Sequence, residues 1–95
     1  MNRYEAMFIV KPELSEEERK ALFNQLHDAV TKNHGTVSQG AVWSEKRKLY
    51  FPIKKHHEGV YYLMNFSSPG PAIKEMNHIY GLNENILRVL ISKLE

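Results

Sequence analysis

The apolar residues of these 95 positions switch between a two-residue and a 3.6-residue period four times, and this alternation constrains the fold more than any single motif. Residues 3–10 (RYEAMFIV) are rich in aromatic and aliphatic side chains with partial alternation, as in a strand, and stop at Lys11-Pro12. Ser15 followed by Glu18 is a capping-box pattern, and Glu16, Glu17 and Glu18 suit the positive end of a helix starting there. Leu22, Phe23, Leu26, Ala29 and Val30 recur at three- and four-residue spacing until Asn33-His34-Gly35 supplies a C-terminal stop. Residues 36–43 and 49–53 read as one long or bent strand, interrupted by the charged stretch 44–48, where the charge favours a bulge or an exposed edge. Pro52, which has no N–H to donate, puts that strand at a sheet edge. A turn at 54–59 leads into a third strand, VYYLMNF. Residues 67–81 open on prolines and close at Gly81 as a second helix, with Ile73, Met76, Ile79 and Tyr80 on its buried face. NILRVLISKL (85–94) reads as a fourth strand.

Strand, helix, strand, strand, helix, strand within 95 residues predicts an α+β chain of the ferredoxin-like βαββαβ type. In that sandwich four antiparallel strands carry both helices on one face. The length suits one domain, 1–95, and 42% apolar with 25% charged residues is the composition of a packed fold. No apolar run approaches the roughly 18–20 residues that span a bilayer, and the first residues lack the pattern of a signal peptide. With no cysteine there is no disulfide framework and no thiolate chemistry. The expectation is a soluble, unprocessed, cytoplasmic protein.

Helices on one face leave the other face of the sheet open. Alternation that turns Ala6, Phe8 and Val10 toward the helices turns Glu5, Met7 and Ile9 outward; likewise Tyr62, Met64 and Phe66 point in, while Tyr61, Leu63 and Asn65 point out. On the last strand Val89 and Ile91 point in, and Arg88 and Leu90 point out. Met7, Ile9, Tyr61, Leu63 and Leu90 therefore form a predicted apolar patch suited to a protein partner, unless a loop closes part of that face.

Lys46, Arg47, Lys48, Lys54 and Lys55, with His56 and His57 beside them, hold five of the thirteen Lys and Arg residues on two neighbouring segments of a hairpin. Clustered cations of this kind neutralise RNA phosphates and release counterions. Arg3 and Arg88 extend the rim on this reading. The competing reading is that charge guards an edge strand against aggregation, and composition leaves the two equal. An aromatic platform for RNA bases is a near miss: Glu58-Gly59-Val60-Tyr61-Tyr62 puts an acid at the basic position of the recognition-motif pattern and valine at its first aromatic position.

Neither catalysis nor metal binding has a visible constellation. The histidines at 27, 34, 56, 57 and 78 form no helical pair with a glutamate, and Glu16 to Glu18 are explained by the helix dipole. The loop KPELS after the first strand has no glycine and makes a poor anion cradle.

RYE at residues 3–5, KRKLYFPIKK (46–55) with GVYY (59–62), and LNENILRVLISK (82–93) together resemble the bacterial-type protein six family of the small ribosomal subunit, over essentially the whole chain. That family has the ferredoxin-like fold and no enzymatic activity, and for this chain no cofactor or metal is expected. It binds the central domain of 16S-type ribosomal RNA together with protein eighteen of the same subunit. The resemblance implies both an RNA partner and a protein partner for a chain resident in the ribosome. It places Arg3, Lys46, Arg47, Lys48, Lys54 and Arg88 at positions that are often basic in the family. Glu45 stands where the family commonly has glycine, which argues against a bulge of positive φ there, and Tyr50-Phe51 replaces the usual Ala-Tyr before Pro-Ile. The expected RNA contacts are Arg3, Lys46, Arg47, Lys48, Lys54, Lys55, His56 and Arg88. The expected partner contacts are Met7, Ile9, Tyr61, Leu63 and Leu90. Two rivals share the fold: a small ligand-sensing regulatory domain that dimerises through its open sheet, and an acyl-phosphate hydrolase, which the KPELS loop disfavours.

Overall fold

The computed structural model describes residues 1–94, the side chain of Lys46 excepted. The elements follow in the order β1 (Asn2–Val10), α1 (Glu16–Lys32), β2 (Thr36–Ile53), β3 (His56–Ser68), α2 (Ala72–Gly81) and β4 (Ile86–Lys93). All pairings are antiparallel and the strand order is β2-β3-β1-β4, which puts β2 and β4 at the edges. This is the expected ferredoxin-like sandwich, with Pro52 on an edge strand where its missing N–H breaks no ladder.

The start of α1 follows from its cap. Ser15 Oγ accepts from the Glu18 N–H at 3.1 Å and the Glu18 carboxylate accepts from the Ser15 N–H at 3.0 Å, so two otherwise unpaired donors are satisfied. The same hydrogen bonds hold the Glu18 carboxyl below its usual pKa. At the other end the chain turns through His34, at φ 68°, and the Gly35 N–H donates to the Val30 carbonyl at 2.9 Å. Gly35 is needed for closeness rather than for a left-handed backbone, because a Cβ there would sit 2.6 Å from Val30 Cγ1 and 2.7 Å from the Ser67 carbonyl oxygen.

The core lies between the helices and the inward side of the sheet. Ala6, Phe8, Val10, Met64 and Phe66 meet Leu22, Leu26 and Val30 of α1 and Met76 and Tyr80 of α2. Tyr80 packs edge-on against Phe8, with centroids 4.9 Å apart, and its hydroxyl donates to the Leu26 carbonyl at 2.7 Å, joining the two helices through a buried bond. Phe23 stacks on Tyr62 at 4.0 Å, and the Tyr62 hydroxyl meets His27 Nε2 at 2.8 Å beneath Gly40 of β2.

β2 has the bulged, exposed edge that the charge at 44–48 predicts, but not the interruption. The charged stretch 44–48 does not interrupt it: Ser44 pairs with Tyr61, Arg47 with Gly59 and Lys48 with Glu58, so the strand runs through as 18 residues. The additional residues are absorbed in four register shifts, between Val37 and Gln39, Val42 and Ser44, Ser44 and Arg47, and Lys48 and Ile53. Each bends the edge, and the hairpin arm curls toward the open face as a result. Glu45 is not at positive φ; its carboxylate instead receives Arg19 Nη1 of α1 at 2.9 Å, tying the arm to the helix layer.

Candidate nucleic-acid and partner interface

Register across β4, β1 and β3 arranges the open face in rows. Leu90, Met7 and Leu63 lie side by side, continued by Ala41 of β2. One row toward the chain ends of the sheet are Ser92, Glu5, Asn65 and Gln39; one row toward the hairpin are Arg88, Ile9 and Tyr61. The face therefore grades from polar, through apolar, to cationic and aromatic. Leu90 is exposed, while Met7, Leu63 and Tyr61 are half-buried by their neighbours.

Ile9 corrects the expectation of an uncovered patch, since it is only 4% exposed. The bulged segment of β2 that carries Leu49, Tyr50, Phe51 and Ile53 folds over this end of the sheet. It encloses with Ile9, Tyr61 and Arg88 a concavity of about 170 Å³. Beyond it Ile53 pairs with His56 across a two-residue turn whose central residues, Lys54 and Lys55, sit at φ 49° and 69°, the geometry of a type I′ hairpin. Lys54 Nζ donates to the Ile86 carbonyl at 3.1 Å, and His56 Nδ1 lies 3.4 Å from Glu13 Oε1. These contacts pin the hairpin tip to the start of β4 and to the loop after β1.

The expected cations divide accordingly. Arg47, Lys48, Lys54, Lys55 and His56 belong to the hairpin arm, and Arg88 joins them by pairing with Ile9 under its tip. Arg3 does not: it pairs with Ser67 at the far end of β1, six residues from Ile9 and so about 20 Å away. Lys46 has no described side chain.

Trp43 was not singled out by sequence. It is 55% exposed on the open face, with its ring 5.8 Å from that of Tyr61, and the Arg47 guanidinium lies 5.0 Å from the Trp43 centroid and 5.5 Å from that of Tyr61. A planar cation over two rings keeps its N–H edges free for an anion while its face is held. Trp43 stands two residues beyond Ala41, so strand alternation carried the information, once the register of β2 was known. Tyr50 is fully exposed and Phe51 79% exposed, both on the arm.

The sequence pattern of the family described as Ribosomal protein S6 matches residues 3–93. The chain belongs to that family. Among Ribosomal protein S6 relatives, the small ribosomal subunit protein bS6 of Caldanaerobacter subterraneus subsp. tengcongensis is 37% identical over 95 residues, covering 100% of this chain and 99% of the relative. The bS6 of Thermoanaerobacter pseudethanolicus is 39% identical over the same span and also covered to 99%. The crystal structure of 30S ribosomal protein S6 from Thermotoga maritima superposes with a TM-score of 0.88 at 28% identity, covering 97% of this chain and 86% of that one.

Proposed function

We propose that this chain is a structural, non-enzymatic constituent of the small ribosomal subunit that binds the central domain of the subunit's RNA together with protein eighteen. The observation that carries this reading is the graded open face in a chain of the Ribosomal protein S6 family: a cationic, aromatic end beside an apolar row. Arg47, Lys48, Lys55 and Arg88 supply exposed charge for phosphate, and Lys54 and His56 stand beside them. Met7, Leu63 and Leu90 supply apolar area for a protein, with Tyr61 at the boundary between the two. A protein partner on the apolar row and RNA on the arm would meet along that boundary, so each would strengthen the other's binding. On this reading the protein acts within the cytoplasmic ribosome.

The test is binding to a central-domain small-subunit RNA fragment, with and without protein eighteen, across a salt series. Affinity that needs the partner, falls steeply with salt, and loses about two counterions' worth of slope in Arg47→Ala with Lys48→Ala supports the assignment. RNA binding absent under both conditions, with a ligand-dependent homodimer in its place, defeats it.

A further inference from the structure

The concavity under the hairpin arm has a composition that neither phosphate neutralisation nor a flat protein contact requires. Its lining combines the buried Ile9, the aromatic residues Tyr50, Phe51 and Tyr61, and Arg88, which is paired in register with Ile9. None of the residues lining it is acidic. At about 170 Å³ it falls below the roughly 300–1,000 Å³ of sites that hold cofactors or drug-sized ligands. Tyr50 remains fully exposed and Phe51 nearly so, although this stretch of the arm is folded onto the sheet. Large aromatic surface thus lies open beside the pocket, with none of the described residues stacked on it. Arg47, over the Tyr61 ring at 5.5 Å, adds a second guanidinium on the neighbouring side.

We propose that this pocket, bounded by Ile9, Tyr50, Phe51, Tyr61 and Arg88, takes a single unstacked base of the bound RNA. The base stacks on the Tyr50 and Phe51 side, and Arg88 and Arg47 receive the flanking phosphates. The inference rests on the RNA-binding reading above. Stacking on aromatic side chains is the usual route by which proteins hold unpaired RNA bases, and cations on both sides of an aromatic wall complement the charge of the strand that would thread past it. An apolar peptide side chain in the same pocket would leave both guanidiniums without a charge partner, whereas the flanking phosphates of a base supply one.

The experiment compares the intact protein with Tyr50→Ala, Tyr50→Trp and Arg88→Ala for binding to the central-domain RNA fragment in the presence of protein eighteen, at several salt concentrations. Binding of each variant to protein eighteen alone is measured in parallel. Because Tyr50 is fully exposed, its replacement leaves the core untouched. Tyr50→Ala is expected to weaken RNA binding roughly five- to a hundredfold with an unchanged salt slope, Tyr50→Trp to retain the affinity, and Arg88→Ala to lower the slope by about one. If the intact protein binds and Tyr50→Ala binds equally well, the base pocket is wrong while the RNA-binding reading stands. Loss of affinity for protein eighteen alone in Tyr50→Ala makes the pocket a protein site and overturns the proposal. No binding by the intact protein removes both.

Discussion

The Arg47 guanidinium lies 5.5 Å from the Tyr61 ring centroid, across a bulged junction between β2 and β3, and this contact brings together a predicted RNA residue and a predicted partner residue. Trp43, the one tryptophan of the chain, lies under the same guanidinium and reports on it. Arg47→Lys keeps the charge but not the planar stacking, so it should alter Trp43 emission while preserving the salt slope of RNA binding. Arg47→Ala should alter the emission and also lower the slope by about one. Fluorescence and a salt titration on the two variants check this; emission identical to the parent in both would show that the guanidinium does not rest on the rings.

Gly40 makes room for the His27–Tyr62 contact. A Cβ at this position would collide with the Tyr62 hydroxyl and lie 2.9 Å from His27 Nε2. Gly40→Ala is therefore expected to destabilise the protein by about 1–3 kcal/mol in urea unfolding. Tyr62→Phe removes the colliding oxygen, so the double variant should be more stable than the sum of the two single changes predicts. Simple additivity would place the strain elsewhere.

Burial pushes the Tyr80 hydroxyl well above its ordinary pKa. A neutral phenol that holds its proton more tightly folded than unfolded contributes stability in full below the unfolded value of about 10, and loses it as pH rises beyond that toward the folded value. Tyr80→Phe should cost about 1 kcal/mol near neutrality, through the lost bond to the Leu26 carbonyl. Between pH 8 and 11 the variant should then lose less stability than the parent. Denaturant midpoints at the two pH values decide it, and equal losses would exclude Tyr80 as the source.

Lys55 sits at φ 69°, in a conformation that an L side chain adopts at a cost. Lys55→Gly should raise stability by about 0.5–1 kcal/mol and at the same time lower the salt slope of RNA binding, because it removes a cation from the arm tip. Thermal unfolding and RNA titration on the same variant check both signs. A fall in stability would mean that the turn gains more from the lysine stem than it loses in its backbone.

The element order was legible because the chain punctuates it locally: Pro12, the Ser15–Glu18 box and the 33–35 stop act within a few residues. Inward and outward faces of β1, β3 and β4 were legible for the same reason, since nothing shifts register over most of their length. β2 was not. Its four bulges each disturb the alternation, so the direction of Trp43 follows only once the register of β2 is known, and the run of charge that looked like a gap is a bulge within a continuous strand. Ile9 was placed correctly on the outward side, but its burial depends on residues 49–53, some forty positions away and brought back only by the curl of the arm. The Arg19–Glu45 ion pair is likewise a product of tertiary packing, and no local pattern announces it.

The irregularity of β2 also bears on what this surface avoids. A straight 18-residue edge would offer a long, evenly spaced row of free N–H and C=O groups to any passing strand, including the same strand of another copy. The bulges break that row into short pieces that point in different directions, and Pro52 removes one donor outright. The curl that shapes the pocket therefore makes this edge a poorer template for strand-to-strand polymerisation than a straight strand of the same length.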